Sequence, residues 1–539
     1  MNITIPTLNG EFYAAALPAF SLGIGSIIAM LQGVSKRFGS ERQVLLVILI
    51  SLITALVGTI SCGPAIETTY LSGGYLAGDL SRVGQGLILG ISLIVTMMFS
   101  STFLRRKFLR GEIASLFLMV ICGMIVMVAS DDIITLFIGL ELSSIGLYAL
   151  VGYINPSRRS QEGAIKYFIL GAFATSLLLF GFALLYVATG TLRLSEMAQL
   201  IPKMIDHNWV RLGVLFALSG LGFKLGLAPF HLWAPDTYEA APTGITALMA
   251  TAIKVMVLVV VVRIFTNTLA PVYDVWQPAL MFLAMVSMII GNLMALVQAS
   301  IKRMLAYSSV AHSGYMAIAL CALGGTSSEF PVAALLYYLV GYSIISLGAF
   351  SVLMWLENER NDNLLVDDLS GLAKQHPWAA FAMAVFMFSF AGMPPTVGFM
   401  GKFFVFNAAL SNQLYSLVII GLIGSAISLF YYLRIIVRMY MSEPVRLAVP
   451  LQPKNSWVVS AIIGSAVLTN LALGTVLPEQ LLKSLVSSSQ EVTAKKATLN
   501  SVVLEPKQGV NTKNAATDLR KSGGKSSAAI IPRDGVAAL

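Results

Sequence analysis

The sequence predicts an all-α polytopic membrane protein of about fourteen transmembrane helices. Three observations carry this expectation. The chain has 539 residues, 57% of them hydrophobic and only 11% charged, where a soluble protein would carry roughly 25% charged residues. Its mean hydropathy is +0.81. Apolar runs of roughly 20 residues, each able to cross about 30 Å of hydrocarbon as a helix, recur from end to end.

The elements follow in order. The first spans are expected at about 12–34, 44–63 and 84–103. The first is read as retained, because MNITIPTLNGEFYAAALPAF lacks the basic region of a cleaved signal peptide. Five more follow at about 112–130, 133–154, 163–188, 209–235 and 243–265. A further five lie at about 275–298, 303–323, 330–356, 378–410 and 414–440, and the last at 457–477. From 479 to 539 the chain turns to Ser, Lys, Ala and Thr and is poor in aromatics, which predicts a disordered polar tail.

Loop charge sets the orientation. Loops after odd-numbered spans hold Lys36, Arg37, Arg42, Arg105, Arg106, Lys107, Arg110, Arg158, Arg159, Lys302 and Arg303. Loops after even-numbered spans hold little beyond Arg82, Arg193 and Lys203. The positive-inside rule then puts odd loops in the cytoplasm and both termini on the outer face. The net charge of +9 is therefore a topology signal and not a nucleic-acid footprint.

Motif chemistry is largely excluded. The three cysteines are scattered, and no CxxC, HExxH, Walker loop or dinucleotide fingerprint occurs. No haem, iron–sulfur cluster, flavin, nucleotide or metal is expected in this chain. GLGFKLG reads as helix packing through Gly222 and Gly226.

Two spans are over-long and interrupted by proline. One is GLGFKLGLAPFHLWAPDTYEAAPT with Pro229 and Pro235; the other is FSFAGMPPTVGFMGKFFVF with Pro394 and Pro395. Proline removes a helical hydrogen bond, and in lipid the freed groups need protein or water, so a broken helix usually lines a cavity. A broken span in each half points to an internally repeated transporter with its site near the midplane.

Ionisable residues sit in the same runs: Glu141, Lys224, Lys254, His312 and Lys402, with Lys166 three residues inside its span. Each ionised group costs about 2.5–3.5 kcal/mol on insertion scales, so Glu141, Lys224, Lys254 and Lys402 together cost on the order of 10 kcal/mol unless paired, hydrated or neutral. Bland alternatives stand beside a functional one. Lys166 is placed to snorkel, His312 to be hydrogen-bonded in a core, and Glu141 to brace a lysine statically. A buried lysine also suits proton handling, because burial disfavours the ammonium while a nearby carboxylate favours it. Moving one against the other makes the lysine give or take a proton without a cofactor. A Na⁺ site would want several convergent oxygens, and few carboxylates lie inside the spans.

At these residues the chain resembles a known family. LFIGLELSSIGLYALVGY, EGAIKYFILGAFATS, GLGFKLGLAPFHLWAPDTYEAAP, SIKRMLAYSSVAHSGYM and FAGMPPTVGFMGKFFVF together resemble the antiporter-like subunits of respiratory complex I, over about residues 10–477. Lysine at 402 resembles the N-type, since the M-type usually has glutamate there, and the lack of a long lateral C-terminal helix separates it from the L-type. The resemblance implies three N-terminal helices (1–110), two inverted five-helix repeats (111–266 and 267–440) with helices 7 and 12 broken, a fourteenth helix (441–478) and the tail (479–539). It also implies that Glu141 pairs with Lys224, that Lys254 relays and that Lys402 serves the exit side, with Lys166 and His312 accessory. NADH, FMN, iron–sulfur clusters and quinone would belong to partner subunits in a bacterial inner membrane, the partners being an M-type subunit and the small membrane subunits. A subunit of a multisubunit Na⁺/H⁺ antiporter is the competing reading, and a non-transporting scaffold the third.

The topology is open to a direct check. Single cysteines at Arg106 and Arg158 should be shielded from an impermeant outside label in intact cells, and ready labelling of both would invert the orientation.

Overall fold

A computed structural model describes residues 10–34, 40–61, 68–71, 74–106, 110–153, 157–204, 208–324, 329–357, 363–443 and 457–487. The chain opens with α1 (Gly10–Val34) and α2 (Glu41–Ser61). A hairpin follows, β1 (Thr68–Tyr70) with β2 (Tyr75–Ala77), antiparallel and in register Thr68 to Ala77, then α3 (Asp79–Arg106). Next come α4 (Gly111–Val128), α5 (Ile133–Val151), α6 (Arg158–Thr189), the short α7 (Leu194–Leu200), α8 (Asn208–Leu225), α9 (Trp233–Ala240) and α10 (Thr243–Arg263). The second half holds α11 (Tyr273–Leu296), α12 (Ile301–Cys321), α13 (Glu329–Leu356), α14 (Leu372–Gln375), α15 (Pro377–Ala391), α16 (Val397–Ser411) and α17 (Tyr415–Met441). The last long helix is α18 (Trp457–Thr475).

Among the described residues, eleven helices are long and apolar enough to cross a membrane. A helix apolar on every face can be enclosed on all sides by other helices. That is the case for α10, whose every residue from Thr243 to Arg263 is buried. It packs against α3 and α13, with α4 and α8 also touching it. Outer helices instead present Ile27, Phe173 and Phe430 outward, as a hydrocarbon solvent requires.

Close approach of backbones sets α5, which carries Glu141. A Cβ on Gly123 of α4 would lie 2.6 Å from the Gly139 carbonyl, and one on Gly139 would lie 2.6 Å from the Met127 amide. Only hydrogen fits at either crossing point, the usual device for drawing membrane helices together.

Four expectations are corrected. Gly222 and Gly226 form no helix seam: a Cβ on Gly222 would meet nothing nearer than 3.5 Å, and one on Gly226 nothing within 4 Å. Gly226 has φ +70° and terminates α8, a left-handed conformation that glycine adopts freely. Pro235 is no break, since it lies in the first turn of α9, where a missing amide costs nothing. The seventh span therefore fractures at Gly226–Leu232 and runs on to Ala240. The polar tail begins later than 479, because residues 478–487 are helical and Leu485 is buried; the remainder lies outside the described residues. The small hairpin is an addition to an otherwise helical architecture.

Alanine at position 139 should cost about 1–3 kcal/mol through overpacking. Alanine at Gly86, where a Cβ meets nothing within 4 Å, should be neutral or slightly stabilising. Thermal melting of the two purified variants checks this, and equal midpoints would contradict it.

Candidate functional site

The first fracture leaves backbone groups that the fold must satisfy. The Phe223 carbonyl accepts from Trp233 Nε1 at 2.9 Å and the Leu225 carbonyl from Ser313 Oγ at 2.6 Å. The Ala228 amide donates to Ser287 Oγ at 2.8 Å. Protein atoms therefore close this break.

Lys224 stands in the last turn of α8, 3% exposed. Its Nζ donates to Ser144 Oγ at 2.8 Å and to Tyr148 Oη at 3.5 Å, with the Tyr148 and Phe223 ring centres at 5.8 and 5.6 Å. Glu141, Ser144 and Tyr148 share one face of α5 by their spacing. Among the described residues Glu141 and Lys224 make no ion pair within 4.0 Å. One Glu141 carboxylate oxygen is buried without a hydrogen-bond partner, although its charge reaches Lys224. The direct pair implied by the resemblance is thus replaced: a serine and a tyrosine take the ammonium, and the acid waits one turn away.

Lys254 lies on the wholly enclosed α10. Its Nζ donates to the Ser309 carbonyl at 2.7 Å and sits 4.5 Å from the Tyr342 ring centre. The same Ser309 carbonyl accepts from Ser313 Oγ at 3.0 Å, and Ser313 is the residue that caps Leu225 beside Lys224. Two serines on α12 therefore connect the first fracture to Lys254.

His312, one turn on, is buried, with Nδ1 2.7 Å from Tyr338 Oη and Nε2 3.2 Å from Tyr432 Oη. Lys254 and Lys402 both act on it electrostatically. Lys402 ends the row. Its Nζ donates to the Phe390 and Ala391 carbonyls at 3.1 and 3.0 Å and to Ser425 Oγ at 2.9 Å, with the Tyr315 ring centre at 5.0 Å.

Those two carbonyls are freed because α15 stops at Gly392, φ +81°. A cation at a helix C-terminus is favoured by the backbone dipoles. A Cβ on Gly392 would lie 2.9 Å from Lys402 Cδ, so glycine is required there twice over. Across the gap, Asn470 Oδ1 from α18 accepts from the Val397 amide at 3.2 Å and from Ser389 Oγ at 2.9 Å.

Lys166 lies apart from this row. Its side chain is 44% exposed and bridges Glu162 at 2.7 Å and Asp236 at 2.8 Å. Asp236 also meets Arg303 at 2.5 Å, which meets Glu239 at 3.2 Å. Nearby, Lys302 pairs with Glu357 at 3.1 Å, their side chains 4% and 11% exposed. Reading spans one at a time missed Asp236, Glu239 and Glu357, together with the serine pair at 309 and 313. Ser313 was signalled by a hydroxyl in an apolar run, whereas Ser309 acts through its backbone carbonyl, which residue type does not announce.

The chain is similar to several known proteins. Residues 130–428 match the family described as NADH:quinone oxidoreductase/Mrp antiporter, TM. NADH-quinone oxidoreductase subunit N of Paramagnetospirillum magneticum is 38% identical over 434 residues, 80% of this chain and 88% of the relative. A chain of respiratory complex I from Thermus thermophilus superposes with TM-score 0.74 at 30% identity, covering 87% of this chain and 99% of that one. A chain of the Mrp complex from a Dietzia species shares the fold, TM-score 0.77 at 18% identity, covering 92% and 99%.

The two ion-pair groups should differ in strength. Asp236→Asn, at a half-exposed site, should cost about 1 kcal/mol or less. Glu357→Ala strands a buried ammonium and should cost about 3–5 kcal/mol. Melting midpoints of the two variants give the ranking, and the reverse order would refute it.

Proposed function

The chain belongs to the NADH:quinone oxidoreductase/Mrp antiporter family of transmembrane subunits, and we propose that it is subunit N of a proton-pumping NADH–quinone oxidoreductase. The observation that carries this reading is the buried row itself. Lys224, Lys254 and Lys402 are each held by hydroxyls or carbonyls and His312 by two tyrosine hydroxyls, and no carboxylate pairs with any of the three ammonium groups among the described residues. Neutral acceptors stabilise an ammonium without neutralising it. Each lysine can therefore lose its proton without stranding a buried counter-ion.

Glu141 is the modulator in this reading. Its carboxylate stands one turn from the Ser144 contact, and in this reading a movement of it passes the Lys224 proton towards Ser313 and Lys254. His312 and its tyrosines carry it on to Lys402, which serves the exit. Membrane potential acts on the same scale, about 2.3 kcal/mol per charge per 100 mV. Lys166, in its exposed ion pairs, tunes the periphery. No redox group is assigned to this chain: NADH, FMN, iron–sulfur clusters and quinone belong to the partner subunits, whose reaction drives the transfer.

Further features belong to the same proposal. Counting α8 with α9, α12, and α15 with α16 as three further crossings gives fourteen, arranged as two inverted five-helix repeats at 111–266 and 267–440. Both termini face outward, and the end carrying Lys166, Lys302 and Arg303 faces the cytoplasm. Shared fold with the Mrp chain leaves a Na⁺/H⁺ antiporter subunit as the alternative, which co-purifying flavin and iron–sulfur absorbance would exclude.

The test uses membranes with equal amounts of assembled complex. Glu141→Ala and Lys224→Ala should each strongly reduce pumping and coupled quinone reduction, with the double variant no worse than the worse single. Losses that multiply would show independent action. Lys402→Ala should lower pumping in an assembled complex, and normal pumping per electron would remove it from the relay.

A further inference from the structure

The Lys302–Glu357 pair lies outside the row of lysines yet is nearly as deeply buried. Burying an ion pair seldom adds stability over an apolar pair of the same size, so its presence asks for another explanation. Its surroundings supply one. Glu357 follows α13, accepts from the Thr243 hydroxyl, and so meets the first residue of α10. Eleven residues, about three turns and about 16 Å, separate Thr243 from Lys254. At 3.6 residues per turn the two share one face.

Antiparallel α13 covers that face, with Glu357 at one end and Tyr342 against Lys254 at the other. Thr246 and Thr251, both fully buried, flank the line between them. Lys302 stands in the first turn of α12, the helix whose Ser309 carbonyl holds the Lys254 ammonium. The cation that neutralises Glu357 and the acceptor that holds Lys254 therefore ride on one rigid element.

We propose that Glu357 is the carboxylate through which protons are taken up for Lys254, with Lys302 as its displaceable counter-charge. This rests on the proton-translocating reading above. With the pair closed, the Lys302 ammonium sits 3.1 Å from the carboxylate. When α12 shifts and Lys302 withdraws, an unpaired charge at this depth is costly, and the carboxylate binds a proton from the aqueous end, forming an O–H bond. That proton passes along the threonine hydroxyls and intervening water, each oxygen accepting one proton and releasing its own. It ends on the neutral Lys254 amine, which has already given up its proton towards His312. No oxidant or reductant takes part.

The experiment compares proton uptake by sealed vesicles during NADH oxidation, at equal assembled complex judged by NADH oxidation with an artificial acceptor. Glu357→Gln should slow pumping at least about tenfold, the scale of losing a proton-transfer group. Glu357→Asp, which restores the carboxylate, should recover about half of the rate or more. Because Glu357→Gln leaves the buried Lys302 ammonium without its carboxylate and endangers assembly, Lys302→Met with Glu357→Gln provides a neutral pair that folds more readily and should still pump slowly. Lys254→Met is the reference. If the neutral pair pumps at the native rate while Lys254→Met does not, Glu357 is only a brace and the inference fails alone. If Lys254→Met also pumps normally, the relay reading fails and the inference with it.

Discussion

An ammonium group enclosed by apolar helices must be given oxygen atoms or aromatic faces to replace water, and the architecture of this chain follows from meeting that need three times. Lys224 receives a serine and a tyrosine, Lys254 a backbone carbonyl and a ring, Lys402 two carbonyls, a serine and a ring. Lys254 shares a carbonyl inside α12, whereas carbonyls with no helical partner of their own arise where a helix stops. The fracture after α15 thus creates the acceptors that hold Lys402, and the residue that stops the helix, Gly392, is also the one small enough to admit the lysine stem. Charge and fracture are one device.

The first fracture is built differently. Lys224 precedes its break, and its own carbonyl neighbours are claimed by Trp233 and Ser313. The ammonium must then look across to α5, where Ser144 and Tyr148 stand on the face that also bears Glu141. The acid is left near enough to bias the lysine but not in contact with it. A static ion pair would hold the lysine in one state; a serine between them allows two.

Much of this was legible in the sequence. Apolar length announced the crossings, and lysines in apolar runs announced the row, because composition and depth follow directly from residue order. Proline positions located both breaks, although Pro235 misled, since a proline in a first turn and one in a helix interior look alike in sequence. What could not be read is partnership. Whether Lys224 meets Glu141 or Ser144 depends on how α5 is turned towards α8, which residue order does not state. Asp236 and Glu239 follow the expected seventh span, and only the packing of α6 and α12 brings Lys166 and Arg303 to them. Gly222 and Gly226 matched a packing spacing, but only backbone torsion reveals that Gly226 is a terminator.

Asn470 adds a consequence for how the protein is made. It belongs to α18, yet its side chain holds the Val397 amide and the Ser389 hydroxyl that flank the second fracture, while Tyr337 of α13 donates to the Leu473 carbonyl at 2.6 Å. During synthesis, α15 and α16 leave the ribosome some sixty residues ahead of this partner. Until the final crossing inserts, the start of α16 exposes an amide that lipid cannot satisfy. The crossing formed by α18 is therefore the one that completes the site of the twelfth span, and a chain released before residue 470 would leave a half-built fracture for membrane quality control to find.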